Sequence, residues 1–258
     1  MDIMTYQFIK THIEDRVFTL TLARPEKRNA FTPTMVNEVN HALAAANSDK
    51  NIWLIIINAE GPVFCAGMDL KVFENPSLDR QNPEIKNENI SLASAIGQLN
   101  KPSIAVIEGD VIAGGFLIIL ECSYVLAKKE VKFSLPEVKR GIFPLQVLGS
   151  LLKIMPSRKA MDLCITGRSV STQEAIELGI ASDYLDAENL ENLKKTILNN
   201  APLAISKGFE ALKKLPEILD NDKADFLLKT LEELKKSKDA KEGIQAFFEK
   251  RLPVWENE

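Results

Sequence analysis

The sequence predicts an α/β core continued by a helical C-terminal region, and three observations carry that prediction. Short β-branched apolar runs alternate with segments of helical spacing through the first half of the chain. Strand signals almost vanish beyond residue 144. Residues 186–250 then read as a succession of amphipathic helices whose dense lysines and glutamates mark solvated faces. No low-complexity linker or internal repeat intervenes. The expected organisation is a core over residues 1–190 and a helical region over 191–258. That region is too thin to bury its own apolar faces, so it must pack on the core or on another subunit.

Taken in order, residues 6–22 read as a hairpin: Tyr6–Thr11, a polar turn at Glu14–Arg16, then alternating Val17–Leu22. Thr32-Pro33 is an N-cap followed by proline at the first helical position. Met35, Val36, Val39, Ala42, Leu43 and Ala46 then recur at helical spacing. Ile52–Ile57 suits a strand buried on both faces, with a glycine-containing loop at Glu60–Gly67 behind it. Residues 74–89, polar with two prolines, read as a mobile loop. Helical spacing resumes at Ile90–Leu99, Ser103–Ile107 is the next strand, Glu108–Ala113 a turn, and an apolar helix opens at Gly114. Tyr124–Ala127 and Val131–Phe133 are short strands. Ser171-Thr172-Gln173-Glu174 is a capping box.

The composition excludes several classes. With 45% apolar and 26% charged residues and a formal net charge of −4, the chain is an ordinary globular protein without a basic footprint for nucleic acid or a membrane surface. Its longest apolar run, Val111–Leu120, is about half of the roughly 20 residues a membrane span needs. Met1–Tyr6 has no basic start, apolar core or cleavage site, so no export signal is expected. Cys65, Cys122 and Cys164 lie far apart and are expected to be reduced thiols of a cytoplasmic protein, with no metal site. The two histidines, His12 and His41, sit in an expected strand and helix, which leaves little for a Ser–His–Asp mechanism. No GxGxxG, Walker loop or HExxH occurs.

Two segments share one design. Ile52–Ile57 leads to Gly61-Pro62-Val63-Phe64-Cys65-Ala66-Gly67-Met68-Asp69-Leu70, and Ser103–Ile107 leads to Gly109-Asp110-Val111-Ile112-Ala113-Gly114-Gly115-Phe116-Leu117. In each, a strand ends in a turn of small residues and a helix follows. Small residues let a ligand approach the backbone, and a helix start presents unpaired N–H groups. Two such groups converging on one point would make an oxyanion hole, although glycines also serve simply as tight turns.

Five segments follow one another in order: Arg24-Pro25 through Asn29-Ala30 reads RPxxxNA, and Phe64-Cys65-Ala66-Gly67-Met68-Asp69-Leu70 reads FxAGxDL. Lys101-Pro102 through Gly115 is similar to KPxIAxIxGxxxGGG, and Phe133-Ser134-Leu135-Pro136-Glu137 with Gly141 and Pro144 to FxxPExxxGxxP. Asp239–Gly243 and Phe247–Arg251 lie in an expected last helix. Together these segments, spanning essentially the whole chain, resemble those of the enoyl-CoA hydratase/isomerase (crotonase) family. The resemblance implies a spiral of repeated ββα units with a C-terminal trimerisation region, and a homotrimer or dimer of trimers. It implies an acyl-CoA substrate and no cofactor beyond the coenzyme A that belongs to it. The N–H groups of Met68 and Gly114 would bind the thioester oxygen. Ala66, Gly67, Met68, Asp69 and Leu70 would line the adenine and pantetheine pocket, and Arg28, with Lys250 of a neighbouring subunit, would meet the phosphates. Glu137 would be the acid/base.

One departure matters. Family hydratases resemble one another in a second glutamate three residues after the middle glycine of GGG. Here that position is Leu117 and the first glycine is Ala113. In those hydratases the paired carboxylates position and activate the water; Leu117 offers no hydrogen bond at all. Ala113-Gly114-Gly115-Phe116-Leu117 is closer to the AGGxL of Δ3,Δ2-enoyl-CoA isomerases, in which one carboxylate moves a proton from C2 to C4. Isomerisation is therefore the leading expectation. A one-acid hydratase or dehydratase, acting on a thioester that can be carrier-bound, is the alternative, and a non-catalytic acyl-CoA scaffold the third. Glu121, one turn beyond Leu117, is more simply expected in a salt bridge than as a substitute acid. Asp110, in the second turn, is expected to be a turn residue that can face the pocket.

Overall fold

A computed structural model describes residues 4–258; the first three residues of the Met1–Tyr6 segment lie outside it. The hairpin forms as β1 (Ile9–Glu14) and β2 (Val17–Leu22), joined by Asp15 and Arg16 at φ 43° and 68°. Paired positive φ angles match the right-handed twist of the flanking strands. Helix α1 (Pro33–Ser48) starts on Thr32, whose side chain accepts from the Met35 N–H. Its C-terminus is capped by the buried Lys101, whose Nζ donates to the carbonyls of Ala46 and Asp49 at 2.6 and 2.5 Å. The lysine of the Lys-Pro segment is therefore a helix cap, reaching the unsatisfied last carbonyls of α1.

Three ββα units follow and generate two sheets. Strands β3 (Leu54–Ala59), β5 (Ser103–Ile107) and β7 (Tyr124–Ala127) extend the first, and β4 (Val63–Cys65), β6 (Asp110–Ile112) and β8 (Lys132–Ser134) build the second. With β9 (Ser169–Ser171) and β10 (Asp183–Tyr184), the orders are β1-β2-β3-β5-β7-β10 and β4-β6-β8-β9. Only the β1/β2 and β8/β9 pairs are antiparallel. Each unit thus advances both sheets by one strand, which is the spiral that the family resemblance implied.

The larger sheet is covered on both faces. Ile55, Ile57, Ala105 and Ile107 join the main core; Leu54, Ile56, Ile104 and Leu126 face a smaller cluster closed by Ile197. Burial on both faces explains the uninterrupted apolar runs of β3 and β5. Each large aliphatic side chain so removed from water contributes about 1.5–3 kcal/mol.

The short helices are α2 (Leu70–Glu74), α3 (Leu92–Gly97), α4 (Phe116–Ile119), α5 (Leu145–Leu151), α6 (Ser157–Thr166) and α7 (Thr172–Glu177). Four longer ones follow: α8 (Ala187–Leu198), α9 (Pro202–Lys214), α10 (Lys223–Leu234) and α11 (Lys238–Glu249). The capping box is half realised, with the Ser171 hydroxyl accepting from the Glu174 N–H at 3.2 Å. The division expected at residue 190 falls inside α8, whose Leu190, Leu193 and Ile197 pack on the sheet. Helix α10 buries no residue, and Phe247, Phe248 and Leu252 are 79%, 76% and 87% exposed.

Several expectations are corrected. The turn at Glu108–Ala113 contains strand β6, and β4 lies inside the Glu60–Gly67 loop. The helix expected from Gly114 opens as a 3₁₀ turn over Ala113–Gly115 and is a single α-helical turn thereafter. The loop over 74–89 is not free of the core. Asp79 accepts from the Thr34 N–H and hydroxyl, both at 2.9 Å, and Asn82 donates to the buried Glu38 at 2.7 Å.

Candidate active site

Strands β4, β6 and β8 are adjacent and parallel, so their C-terminal ends share one edge. From that edge leave Ala66-Gly67-Met68, Ala113-Gly114 and Leu135-Pro136-Glu137. Open parallel sheets place their ligands at such strand ends. A cavity of about 580 Å³ lies there, lined among others by Arg28, Phe31, Ala66, Met68, Asp69, Leu70, Gly114, Leu117 and Glu137. A volume of this size falls in the range of small-molecule sites.

The first loop is held by hydrogen bonds from the Arg-Pro segment. Arg28 and Asn29 both take left-handed φ, 52° and 51°, which folds the chain back on itself. The fully buried Asn29 side chain accepts from the Arg24 N–H and donates to the carbonyls of Glu60 and Val63, each at 2.8 Å. Phe31 pairs with Met68 as an isolated parallel bridge: the Phe31 N–H donates to Gly67 and the Asp69 N–H donates to Phe31. In parallel pairing the residue opposite Phe31 turns its own N–H away, so the Met68 N–H has no backbone acceptor among the described residues. Arg24 donates to Asp69 at 2.8 Å while Asp69 caps α2. Burial pushes the Asp69 carboxyl up, but Arg24 and the N–H groups of Val72 and Lys71 hold it below its ordinary value.

The second loop packs directly on the first. Gly67 has φ 86°, and a Cβ there would lie 2.8 Å from the Ala113 methyl and 3.0 Å from the Gly114 nitrogen. A Cβ on Gly115 would meet the Cys65 carbonyl oxygen at 2.7 Å. Glycine is thus required at both positions for the two backbones to touch. Ala113 itself sits at φ 52°, a left-handed conformation that a methyl-bearing residue adopts at a cost of roughly 1–2 kcal/mol. It begins the 3₁₀ turn in which the Gly114 N–H, like other first-turn donors, has no backbone acceptor among the described residues.

Glu137 comes from the third loop, a 3₁₀ turn over Pro136–Arg140 closed by Gly141 at φ 74°. Among the described residues its Oε2 is buried without a hydrogen-bond partner. Burial raises its carboxyl above the ordinary value, against the opposing pull of its own backbone N–H and of Arg140. An unpartnered carboxylate oxygen beside a cavity is a proton acceptor waiting for a ligand. Leu117, buried, forms part of the same wall.

The other expected residues separate clearly. Gly67 is buried behind Met68, supporting the wall without lining it. Lys250, the left-handed cap of α11, does not line the cavity in this chain. Asp110 turns away as well, its carboxylate accepting from the Lys132 N–H at 2.9 Å across β6 and β8. Glu121 is taken up by Ser150 and Lys153, both at 2.8 Å. His41 bonds the Tyr6 hydroxyl at 3.0 Å, and His12 is exposed. Cys65, Cys122 and Cys164 are free thiols. Sequence reasoning missed Phe73, Arg140, Phe143 and Leu145, which also line the cavity. The spacing of the apolar residues from 142 to 147 was the only available signal for that wall.

Two unpaired N–H groups and an unpartnered carboxylate on one cavity can hold a carbonyl oxygen that gains charge and exchange a proton with the neighbouring carbon. Residues 12–258 match the model of the family described as enoyl-CoA hydratase/isomerase. A probable enoyl-CoA hydratase of Bacillus subtilis (strain 168) is 30% identical over 260 residues, 97% of this chain and 99% of that protein. A probable mitochondrial enoyl-CoA hydratase of Dictyostelium discoideum is 29% identical over 253 residues, 96% and 90% of the two chains. The crystal structure of an enoyl-CoA hydratase from Mycobacterium tuberculosis H37Rv superposes with a TM-score of 0.85 at 28% identity, covering 97% and 99%. The chain therefore belongs to the enoyl-CoA hydratase/isomerase family.

Proposed function

We propose that this member shifts the double bond of an enoyl-CoA from C3 to C2, with Glu137 as its single acid/base. The observation that carries the reading is the buried, unpartnered Oε2 of Glu137 on a cavity whose Leu117 stands where a second acid would be. Glu137 removes a proton from C2, the carbonyl π electrons move onto oxygen, and the N–H groups of Met68 and Gly114 hold the resulting enolate. The same carboxyl returns the proton at C4 as the C2–C3 double bond forms and the carbonyl is restored. No water is consumed, so one carboxyl suffices. The other lining carboxylates are Asp69, committed to Arg24, and Glu26.

Lys27, Arg28 and Lys71 on the cavity wall suit the coenzyme's phosphates, with Ala66, Asp69 and Leu70 beside the adenine and pantetheine. Lys250 belongs to the reading as a contribution from a neighbouring subunit. The bare apolar faces of α10 and α11 suit a trimer or a dimer of trimers, and the free thiols suit the cytoplasm. Among the described residues no helix is long and apolar enough to cross a membrane.

The relatives' names favour a second reading, hydration with one acid. A 3-enoyl-CoA and a 2-enoyl-CoA supplied in parallel to the wild type, Glu137→Ala and Leu117→Glu separate the two. The expected result is conversion of the first substrate by the wild type only, with hydration of the second emerging in Leu117→Glu. Wild-type hydration at a comparable rate overturns the proposal, and binding without turnover would point to a scaffold.

A further inference from the structure

We propose that the acyl group accepted by this cavity carries a distal carboxylate, which pairs with Arg140. The inference rests on the acyl-CoA reading above and names which acyl-CoA. Arg140 closes the 3₁₀ turn three residues after Glu137, and it lines the same cavity. It is solvent-exposed and, among the described residues, makes no hydrogen bond and no ion pair; the same holds for Arg28 on this wall, which the reading above assigns to the phosphates, whereas Arg24, Arg168 and Arg251 are bound to carboxylates. Five N–H donors in a planar fork are therefore free on the cavity wall.

What sets it apart from Arg28 is the apolar wall beside it. The chain beyond it lines the cavity with Ile142, Phe143, Leu145 and Val147, and Leu117 adds to the same apolar surface. A pocket for a plain hydrocarbon tail gains nothing from a hydrated guanidinium, which keeps water against the surface the tail would cover. A carboxylate at the end of an otherwise apolar tail uses both features at once. The tail covers the apolar wall, and the planar carboxylate takes the fork in a bidentate pair.

The anion belongs to the acyl group and not to the coenzyme. Glu137 must reach the carbon next to the thioester, and Arg140 shares its short turn. The coenzyme's phosphates lie a pantetheine arm away on the other side of the sulfur. The charge of Arg140 already opposes the effect of burial on the Glu137 carboxyl.

The test is calorimetric binding of adipoyl-CoA, hexanoyl-CoA and free coenzyme A to the purified full chain. None of these carries a double bond in an acyl chain, so none undergoes the proposed shift. Adipoyl-CoA is expected to bind the wild type about tenfold more tightly than hexanoyl-CoA, the size of one charge-assisted pair at a partly exposed site. Arg140→Met is expected to erase that ratio and Arg140→Lys to retain part of it. Equal wild-type affinities overturn the inference, as does an Arg140→Met variant that weakens both acyl-CoAs by one factor or weakens free coenzyme A equally. Because no turnover is involved, failure of the double-bond shift leaves a positive result standing. If neither acyl-CoA nor coenzyme A binds, the acyl-CoA reading falls first.

Discussion

Gly67→Ala tests the contact on which the site is built. The added methyl would lie 2.8 Å from the Ala113 Cβ, 3.0 Å from the Gly114 nitrogen and 3.3 Å from the Ile112 carbonyl oxygen. None of these is the free end of a flexible side chain. The backbone must therefore yield, and the peptide that moves carries the Gly114 N–H. The φ of 86° adds strain of roughly 1–3 kcal/mol for any residue with a Cβ. Together these predict a stability loss of about 2–3 kcal/mol, or roughly 4–12 °C in Tm for a chain of this size. Losing one oxyanion donor costs about 10²–10³ in rate, so kcat/KM for a 3-enoyl-CoA should fall by that factor at a temperature where the variant is folded. The assay is the rise in conjugated-enoyl absorbance, with circular dichroism to confirm folding. Gly208→Ala is the control: nothing lies within 4 Å of its added Cβ, so stability should hold or rise slightly. A folded Gly67→Ala with wild-type kcat/KM would refute the argument, because the two loops could then separate without disturbing the chemistry.

Further outcomes follow from the same geometry. Glu137→Gln should abolish turnover while leaving the chain folded, and in the wild type kcat/KM should fall as pH drops through the raised Glu137 pKa, above the ordinary glutamate range. Because that pKa is higher folded than unfolded, the ionised carboxylate destabilises the fold; Glu137→Gln should raise Tm near neutrality, with the gain fading as pH falls through the folded pKa and gone below the unfolded value. Asn29→Ala removes three hydrogen bonds from the buried clamp on the first loop and should cost about 2–4 kcal/mol, read as a lower denaturation midpoint with unchanged slope.

Much of this molecule is legible before folding. The hairpin turn at Asp15-Arg16, the Thr32-Pro33 cap and the apolar runs of β3 and β5 are set by local chemistry within a few residues. Strands β4 and β6 are not, and of the three parallel strands at the site only β8 reads as a strand, over Val131–Phe133. Each is three residues long, shorter than a period-2 pattern needs, and β6 hides in what reads as a turn. Their significance is nevertheless large, since their shared edge brings the three loops together.

By itself the sequence determined the residue types at Gly67, Gly114 and Glu137, the absence of an acid at position 117, and the order of β/α units followed by helices. Only the tertiary structure decided that Asp110 and Glu121 are spoken for by Lys132 and by Ser150 with Lys153, and that Arg140 has no partner among the described residues on the cavity wall. The reason is physical. Turn and cap preferences act between near neighbours along the chain, whereas the partners of a charged side chain are set by which distant segments the sheets lay side by side.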